Sequence, residues 1–161
     1  MKKLVLILVL VVVNLVSFAQ SDSVIVKRVV HEMTDEVYWN TNFRLVAANQ
    51  ELTRGFTVQP IIDKGTYIMD LIVKPVGLGN CNENNVLIIK FVDGSKVKLK
   101  SWSDFDCTVA YFTPTNYLVS KLKVVEVDKM YFQNGHTFDS GTFPVDNPKY
   151  FIQLYKGLKN K

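Results

Sequence analysis

Residues 86–100 read VLIIKFVDGSKVKLK, two runs of alternating side chains joined by Asp93-Gly94, a dipeptide typical of β-hairpin turns. A two-residue loop would set Phe91 opposite Lys96 and mix apolar with charged side chains on one face. A three-residue loop that begins one residue earlier separates them, because a shift of one residue moves every side chain to the other face of its strand. We therefore expect the three-residue loop, with Gly94 in the left-handed conformation.

This register gives the hairpin one apolar face and one basic face. The basic face pairs Lys90 with Lys96, which is mildly repulsive, and Trp102 follows at the end of the second strand. Such a face could bind anionic glycans, lipid headgroups or nucleic acid. It could also be the solvated face of an antiparallel sheet whose lysines discourage edge-to-edge aggregation, and so small a set of lysines favours this second interpretation. The candidate binding residues are Lys90, Lys96, Lys98, Lys100 and Trp102.

The rest of the chain repeats short runs of apolar, β-branched and aromatic residues between turn residues. This pattern is typical of antiparallel β proteins. Pro60 and Pro75 are expected at strand ends or edges, since proline cannot donate to a ladder. The predicted strands are Val24–Val30, Phe43–Ala47, Phe56–Ile62, Thr66–Val73, Val86–Val92, Lys96–Trp102, Cys107–Phe112, Val124–Phe132 and His136–Phe143.

A second hairpin is predicted around Asn134-Gly135, where a two-residue loop would pair Tyr131 with Phe138. The tetrapeptide at 139–142, Asp-Ser-Gly-Thr, resembles the loop of aspartic proteases, whose chemistry needs two carboxylates that share a proton. The tetrapeptide occurs once in the chain, so the second aspartate would have to come from a homodimer, and the rest of the protease scaffold is still missing. We interpret the tetrapeptide as a turn at the end of the hairpin.

Two helices are predicted. Thr113 is expected to cap a short internal helix whose first residue is Pro114. Asn147-Pro148 repeats this start signal before an amphipathic C-terminal helix, which Gly157 should loosen or end. The predicted fold class is therefore α+β, mostly β, with antiparallel sheets, one short internal helix and a C-terminal amphipathic helix packed on the sheet. The apolar stripe of the second helix consists of Tyr150, Phe151, Leu154, Tyr155 and Leu158.

Residues 1–19 have the layout of a secretory signal peptide. They contain a Met-Lys-Lys start, the apolar run Leu4–Val13 and a small-x-small cleavage site at Ser17 and Ala19. The apolar run is too short for a membrane-spanning helix, which needs about 20 residues. We expect cleavage after Ala19, export to the periplasm or the medium, and a single globular domain over residues 20–161.

Composition narrows the kind of protein further. The chain of 161 residues is 48% hydrophobic and 12% aromatic, which is too apolar for a disordered chain. Its formal charge of +4 falls to +2 without the predicted leader, which holds two of the lysines. So small a charge does not predict nucleic-acid binding. We expect no nucleic-acid partner, no membrane span and no cofactor, but a protein or glycan ligand outside the cytoplasm.

The two cysteines, Cys81 and Cys107, are interpreted as a disulfide, because an even pair outside the cytoplasm usually forms one. Two buried free thiols are the alternative, and zinc is disfavoured because no histidine lies near them. The bond would bring Glu83 toward Asp104 and Asp106, whose hard oxygen atoms suit calcium. Without a recognised ligand spacing, turn geometry explains this loop better.

Three further features are weaker indications of a functional site. Residues 77–79, Gly-Leu-Gly, follow a predicted strand but lack the third glycine and the helix of a nucleotide-binding turn, so a flexible loop is expected. His31 and His136 lie far apart, and no serine in a nucleophile elbow accompanies them. Asp70 would be a functional candidate if it were buried, but the alternation of its strand favours an exposed position.

Two blocks of the chain stand out as signatures, residues 81–94, CNENNVLIIKFVDG, and residues 105–112, FDCTVAYF. A short leucine-bearing helix and a strand follow the second block. Together with the leader ending Ser-Phe-Ala-Gln at 17–20, these blocks resemble small uncharacterised exported proteins of Bacteroidetes-type bacteria. That group implies no known activity, substrate or cofactor, so the resemblance assigns no functional residue.

No group of side chains in the sequence forms a recognisable catalytic set. We therefore expect an exported, β-rich, non-enzymatic binding or interaction module. The alternative is a small secreted hydrolase with a carboxylate-based, acid-dependent site. Its candidate residues are Asp139, Asp70 and the cluster Glu83, Asp104 and Asp106.

Overall fold

The structure is a computed structural model of the chain. It describes residues 26–30, 33, 37–41, 44–63, 67–79, 83–102 and 107–159. Several of the sequence features lie outside these ranges, and what the sequence predicts for them stays a prediction. These features are the signal peptide at 1–19, Cys81 and hence its bond to Cys107, His31, Asp104 and Asp106.

Within the described ranges, six strands form a first antiparallel sheet. Its order is β1-β2-β4-β5-β8, and β3 also pairs with β4. The long pair of β4 and β5 is the centre of this sheet and contains a bulge at Ile61/Ile62. The strands are β1 Val26–Val30, β2 Val37–Thr41, β3 Leu45–Ala48, β4 Gly55–Asp63, β5 Tyr67–Val76 and β8 Ala110–Phe112.

A second antiparallel sheet has the order β10-β9-β6-β7. It consists of two hairpins laid side by side, because β6 pairs with β7 on one side and with β9 on the other. Two sheets with two helices confirm the predicted α+β, mostly β class. The remaining elements are β6 Val86–Phe91, β7 Lys96–Lys100, β9 Val127–Gln133, β10 Ser140–Pro144, α1 Asn116–Leu122 and α2 Tyr150–Lys159.

Aromatic side chains from both sheets meet in the core. The ring of Phe132 in β9 lies 5.6 Å from the ring of Phe56 in β4 and 6.5 Å from that of Phe112 in β8, centroid to centroid. Phe143 in β10 contacts Phe56 at 6.1 Å. All four side chains are buried, so the inner face of each sheet packs against that of the other. Burial of this kind is the main stabilising contribution to a β fold.

The register predicted for the first hairpin is confirmed. Lys90 lies opposite Lys96, and the amide N–H of Phe91 donates to the carbonyl oxygen of Ser95 at 3.0 Å. The loop between Phe91 and Ser95 therefore has three residues. Gly94 within it has a φ of 84°, the left-handed conformation that this loop requires.

The register predicted for the second hairpin is wrong. Tyr131 lies opposite Thr142 rather than Phe138, and six residues separate the strands instead of two. The Asn134 side chain is fully buried, and its Oδ1 accepts from the amide of His136 at 2.8 Å and from that of Thr137 at 2.9 Å. This side chain thus organises a wider turn. The first residues of the predicted strand His136–Phe143 belong to this turn, and β10 begins only at Ser140.

The helices are confirmed, with shifted boundaries. The N-cap of α1 is Thr115, whose side chain accepts from the amide of Leu118, and not Thr113. Helix α2 continues through Gly157 to Lys159, because its apolar stripe is held in the core on either side of the glycine. The buried residues of α2 are the predicted Tyr150, Phe151, Leu154, Tyr155 and Leu158.

Two features of the first sheet differ from expectation. Strand β2 was not among the predicted strands, since its short run ends in Asn-Thr, a pair typical of turns. Pro60 lies inside β4 rather than at a strand end. Proline is tolerated there because the second neighbour of β4 changes from β3, up to Val58, to β2, at Ile62. Pro75, in contrast, is the penultimate residue of β5, as expected.

Candidate functional site

The outer face of the second sheet carries the patterned polar surface of the molecule. Successive side chains of a strand point to opposite faces, and the inward set of β6 and β7 is buried. The residues between them must therefore point outward. On β9 the same alternation buries Met130 and Phe132 and leaves Lys129, Tyr131 and Gln133 on the outer face.

Register places three lysines side by side across three strands. Lys129 of β9 lies opposite Lys90 of β6, which in turn lies opposite Lys96 of β7. Neighbouring strands are about 4.8 Å apart, so the three ammonium groups start from backbone positions spanning about 10 Å. We call these three residues the lysine row. Like charges directly opposite one another destabilise a sheet, so the arrangement has a cost.

Two further rows run parallel to the lysine row. The next row, which we call the aromatic row, has Tyr131 opposite both Ile88 and Thr142. The row beyond it has Gln133 opposite Val86. Along β9 and β6 the face therefore changes from cationic to apolar and aromatic, and then to neutral polar, over three rows spaced two residues apart. Extended to the edge strands, the aromatic row is Thr142, Tyr131, Ile88 and Lys98, and the outermost row is Ser140, Gln133, Val86 and Lys100.

These rows enclose an open groove of about 520 Å³. Its volume is within the range of small-molecule and cofactor sites, about 300–1,000 Å³. Every lining residue comes from the four strands of the second sheet, so the groove is a depression in one sheet face and not a cleft between sheets. The lining residues are Val86, Ile88, Lys90, Lys96, Lys98, Lys129, Tyr131, Gln133 and Thr142.

One carboxylate lies among the lysines. A bulge in β9 adds Asp128 next to Lys129, and the Asp128 Oδ2 atom lies 2.9 Å from the Lys90 Nζ atom and 4.0 Å from the Lys129 Nζ atom. The hydrogen bond from Lys90 lowers the pKa of Asp128. Lys96, within the described part of the chain, forms no ion pair. Among the described residues, this face thus carries five lysines and one acid beside them, so its net charge is positive.

The structure separates the sequence-predicted binding residues. Lys90, Lys96 and Lys98 line the groove, and Lys100 shares its face but lies outside the groove. Trp102 belongs elsewhere, because its amide donates to the carbonyl of Tyr111 in the first sheet at 2.9 Å. The ring packs against that of Tyr111, tilted by 31° with the centroids 5.8 Å apart, and the indole N–H donates to the Thr113 hydroxyl at 2.7 Å.

Six groove residues were absent from the predicted binding residues, although the sequence carried a signal for the three that lie on β9. On β9, lysine, tyrosine and glutamine alternate with buried Met130 and Phe132, which is the period-two pattern of an exposed strand face. The pairing of β6 with β9 joins residues about 40 positions apart, and no local pattern predicts it. The residues missed are Val86, Ile88, Lys129, Tyr131, Gln133 and Thr142.

Asp70 is buried, contrary to the expectation from alternation. The chain that follows β8 covers it, and the Thr113 hydroxyl donates to the Asp70 Oδ1 atom at 2.8 Å. Trp102 donates to the same hydroxyl, so a chain of hydrogen bonds runs from the half-exposed indole to the buried carboxylate. Each polar group in this chain has a partner, as burial requires.

The other acidic candidates lie in turns. Asp139 is exposed and accepts a hydrogen bond from the Thr137 hydroxyl at 2.9 Å, directly before β10. The other three residues of the Asp-Ser-Gly-Thr motif, Ser140 to Thr142, lie within β10 and pair with β9, so the motif is the start of a strand and not the predicted turn. Glu83 Oε1 lies 3.4 Å from the side-chain amide of Asn84. Among the described residues no three His, Cys, Asp or Glu side chains form a metal-binding group. Since Asp104 and Asp106 lie outside those residues, the calcium site stays a prediction.

The remaining motifs are loop features. Gly77 and Gly79 have φ values of 61° and 84°, and no helix follows them before β6 within the described residues, so the loop interpretation holds. His136 is exposed in the β9–β10 turn. None of these residues lines the groove.

Comparison of the chain with models of known protein families, with curated proteins and with solved structures finds no match. Among the described residues, no helix has both the length and the apolar content needed to cross a membrane. The function must therefore be argued from the groove and its residues.

Proposed function

We propose that the protein is an exported, non-enzymatic binding module and that the outer face of the second sheet binds an anionic ligand. The observation that carries the proposal is the lysine row, Lys129, Lys90 and Lys96, which lies in register across three strands. An anion placed over this row would relieve the repulsion between the ammonium groups. The proposed export rests on the leader at 1–19.

Protection of a sheet edge explains only part of this pattern. The lysines of β7 lie on an edge strand, where positive charge discourages pairing with another chain. Lys90 and Lys129 lie on β6 and β9, the two central strands, whose backbone groups are already paired on both sides. Edge protection gives no reason for a charge at those two positions. Their contacts with Asp128 balance one of the two charges, and anion binding accounts for the excess.

The choice of a binding role over catalysis rests on the contacts of the acids. Hydrolysis by carboxylates needs two acids, or an acid and a nucleophile, that face one substrate. Among the described residues, Asp70 bonds to Thr113, Asp139 to Thr137 and Glu83 to Asn84. No such contact joins two of these three acids, and none of the three lines the groove.

The test is binding to a polyanion at low ionic strength. Dextran sulfate titrated into the protein in a calorimeter should give binding that weakens steeply with salt, because exposed charges are screened. Lys129→Glu should lower the affinity about ten-fold, since it replaces an attractive charge in the lysine row by a repulsive one.

Lys74→Glu is the matched control. Lys74 is likewise an exposed strand lysine, but it lies on the first sheet. The same charge change there should alter the affinity less than two-fold, by the weak coupling of distant surface charges. Equal losses in the two variants, or no binding by the unmodified protein, would contradict the proposal.

A further inference from the structure

The aromatic row suggests what kind of anion the face takes. Tyr131 is half-buried, lies between Ile88 and Thr142, and is the one aromatic side chain among the described residues that line the groove. The lysine row lies two residues away along the strands on one side, and Gln133 lies two residues away on the other. Along β9, a ligand over Tyr131 would therefore meet cations at one edge and a neutral hydrogen-bonding group at the other, with Lys98 of β7 in the same row as Tyr131.

We infer that the ligand is an acidic polysaccharide, a chain of sugar rings that carry carboxylate or sulfate groups. This inference rests on the proposed function, because it names the ligand class of the same groove. One sugar ring lies with its apolar C–H face on Tyr131. Its acidic group points to the lysine row, and its hydroxyl groups exchange hydrogen bonds with Gln133 and Thr142.

The chemistry of the groove floor favours a sugar ring over other anions. A pyranose ring has apolar C–H faces and a polar rim, and the floor has the matching order of apolar and polar side chains. Lysine provides a compact charge with rotatable donors, which suits a carboxylate or a sulfate equally. A tyrosine ring loses little conformational freedom on binding because it has only two side-chain torsions.

Other polyanions fit less well. Single-stranded nucleic acid binds to platforms where successive bases stack on several aromatic side chains, and this groove has one. An acidic peptide would satisfy the lysines but would make no specific use of the Tyr131 ring. The two alternatives therefore differ from the polysaccharide in their dependence on a single aromatic side chain.

The experiment compares Tyr131→Phe with Tyr131→Leu in the full chain. Phenylalanine keeps the ring, whereas leucine keeps much of the apolar volume and lets the strand pack without it. Affinity is measured by calorimetry for polygalacturonate, which carries carboxylates, for dextran sulfate, for neutral dextran and for polyglutamate. Thermal unfolding of both variants shows that each is folded.

Tyr131→Leu should weaken binding to polygalacturonate or dextran sulfate about five-fold, whereas Tyr131→Phe should change it less than two-fold. Which of the two binds more tightly distinguishes a carboxylate from a sulfate ligand. Polyglutamate should bind more weakly than the acidic polysaccharides and be insensitive to Tyr131→Leu. Neutral dextran should not bind.

The inference is overturned if Tyr131→Leu leaves polysaccharide binding unchanged, or if polyglutamate binds as tightly as polygalacturonate. In either case Lys129→Glu would still weaken binding, and the proposed anion-binding function would stand. If no polyanion binds the unmodified protein, the proposed function fails together with the inference.

Discussion

The loops of the two hairpins in the second sheet contain the same kind of hydrogen bond, but the accepting side chain is exposed in one loop and buried in the other. In the β6–β7 loop, Asp93 Oδ1 accepts from the amide of Ser95 at 3.0 Å. In the β9–β10 loop, Asn134 Oδ1 accepts from the amide two residues on at 2.8 Å. Both are Asx turns, but the Asp93 side chain is 41% exposed and Asn134 is fully buried.

Burial decides how much each turn depends on the rest of the molecule. The exposed loop is held by its own residues and by Lys121 of α1, which pairs with Asp93. The buried loop is tied to a distant part of the chain, because the amide of Gly135 donates to Asn85 Oδ1 at 3.1 Å. An exposed turn can exchange its bonds for water, whereas a buried one cannot.

Asn134→Ala is expected to cause the largest effect. It removes the buried acceptor of two part-buried backbone N–H groups, and the loss of such a buried hydrogen-bonding group costs about 1–3 kcal/mol in total. The free energy of unfolding, from urea titrations followed by circular dichroism, should fall accordingly. Asp93→Ala is the matched change in the exposed loop and should lower the stability less. Equal losses would show that burial does not separate the two turns.

The same contrast explains how much of the fold the sequence predicts. In the first hairpin the alternation and the Asp-Gly pair agree, and the register follows from local rules. In the second, the Asn-Gly pair suggests a two-residue loop, but the contacts of Asn134 and Gly135 with their neighbours select six residues. Those contacts reach Asn85, about 50 positions away, so they cannot be derived from the local pattern.

The residues of the candidate site likewise differ in whether a local sequence pattern predicts that they lie together. Lys90 and Lys96 are predicted as a pair because one hairpin contains both. Lys129 and Tyr131 join them only through the pairing of β6 with β9. Trp102, which follows the lysines directly in sequence, leaves the sheet to pair with Tyr111. Local alternation thus predicts the groove lysines of the first hairpin, whereas the groove residues on β9 join them only through the order of the strands in the sheet.

The residue pairs next to the two loops provide a second test of the comparison. The first hairpin has Lys90 opposite Lys96, and the second has Gln133 opposite Ser140, which is neutral. Lys96→Glu converts the repulsive pair into an attractive one and should raise the free energy of unfolding by about 0.5 kcal/mol. It should also weaken polyanion binding, because it reverses one charge of the lysine row.

Stability and binding therefore change in opposite directions in this variant. Urea unfolding and calorimetric titration with dextran sulfate, on the same protein sample, measure the two effects. Ser140→Glu, at the equivalent position of the second hairpin, is the control and creates no such pair with Gln133. Lower stability in Lys96→Glu would mean that the Lys90–Lys96 pair is not repulsive in the folded protein.

The smallest expected effect concerns pH and the exposed loop alone. Hydrogen bonds from Lys121 and then from Ser95 lower the pKa of Asp93 from 3.8 to about 2. A folded-state pKa below the unfolded value means that the ionised form is stabilised by folding. The contribution is present above pH 3.8 and is lost as the pH falls toward 2.

Asp93→Asn isolates this contribution, because the amide oxygen can still accept from the Ser95 amide while the charge is gone. Urea midpoints of the two proteins should differ at pH 6, with the unmodified protein more stable, and should converge between pH 4 and about pH 2. Since the carboxylate is exposed, 0.5 M salt should reduce the difference at pH 6. A difference that stayed constant from pH 6 to pH 2 would show that Asp93 acts through its turn geometry and not through the charge that it shares with Lys121.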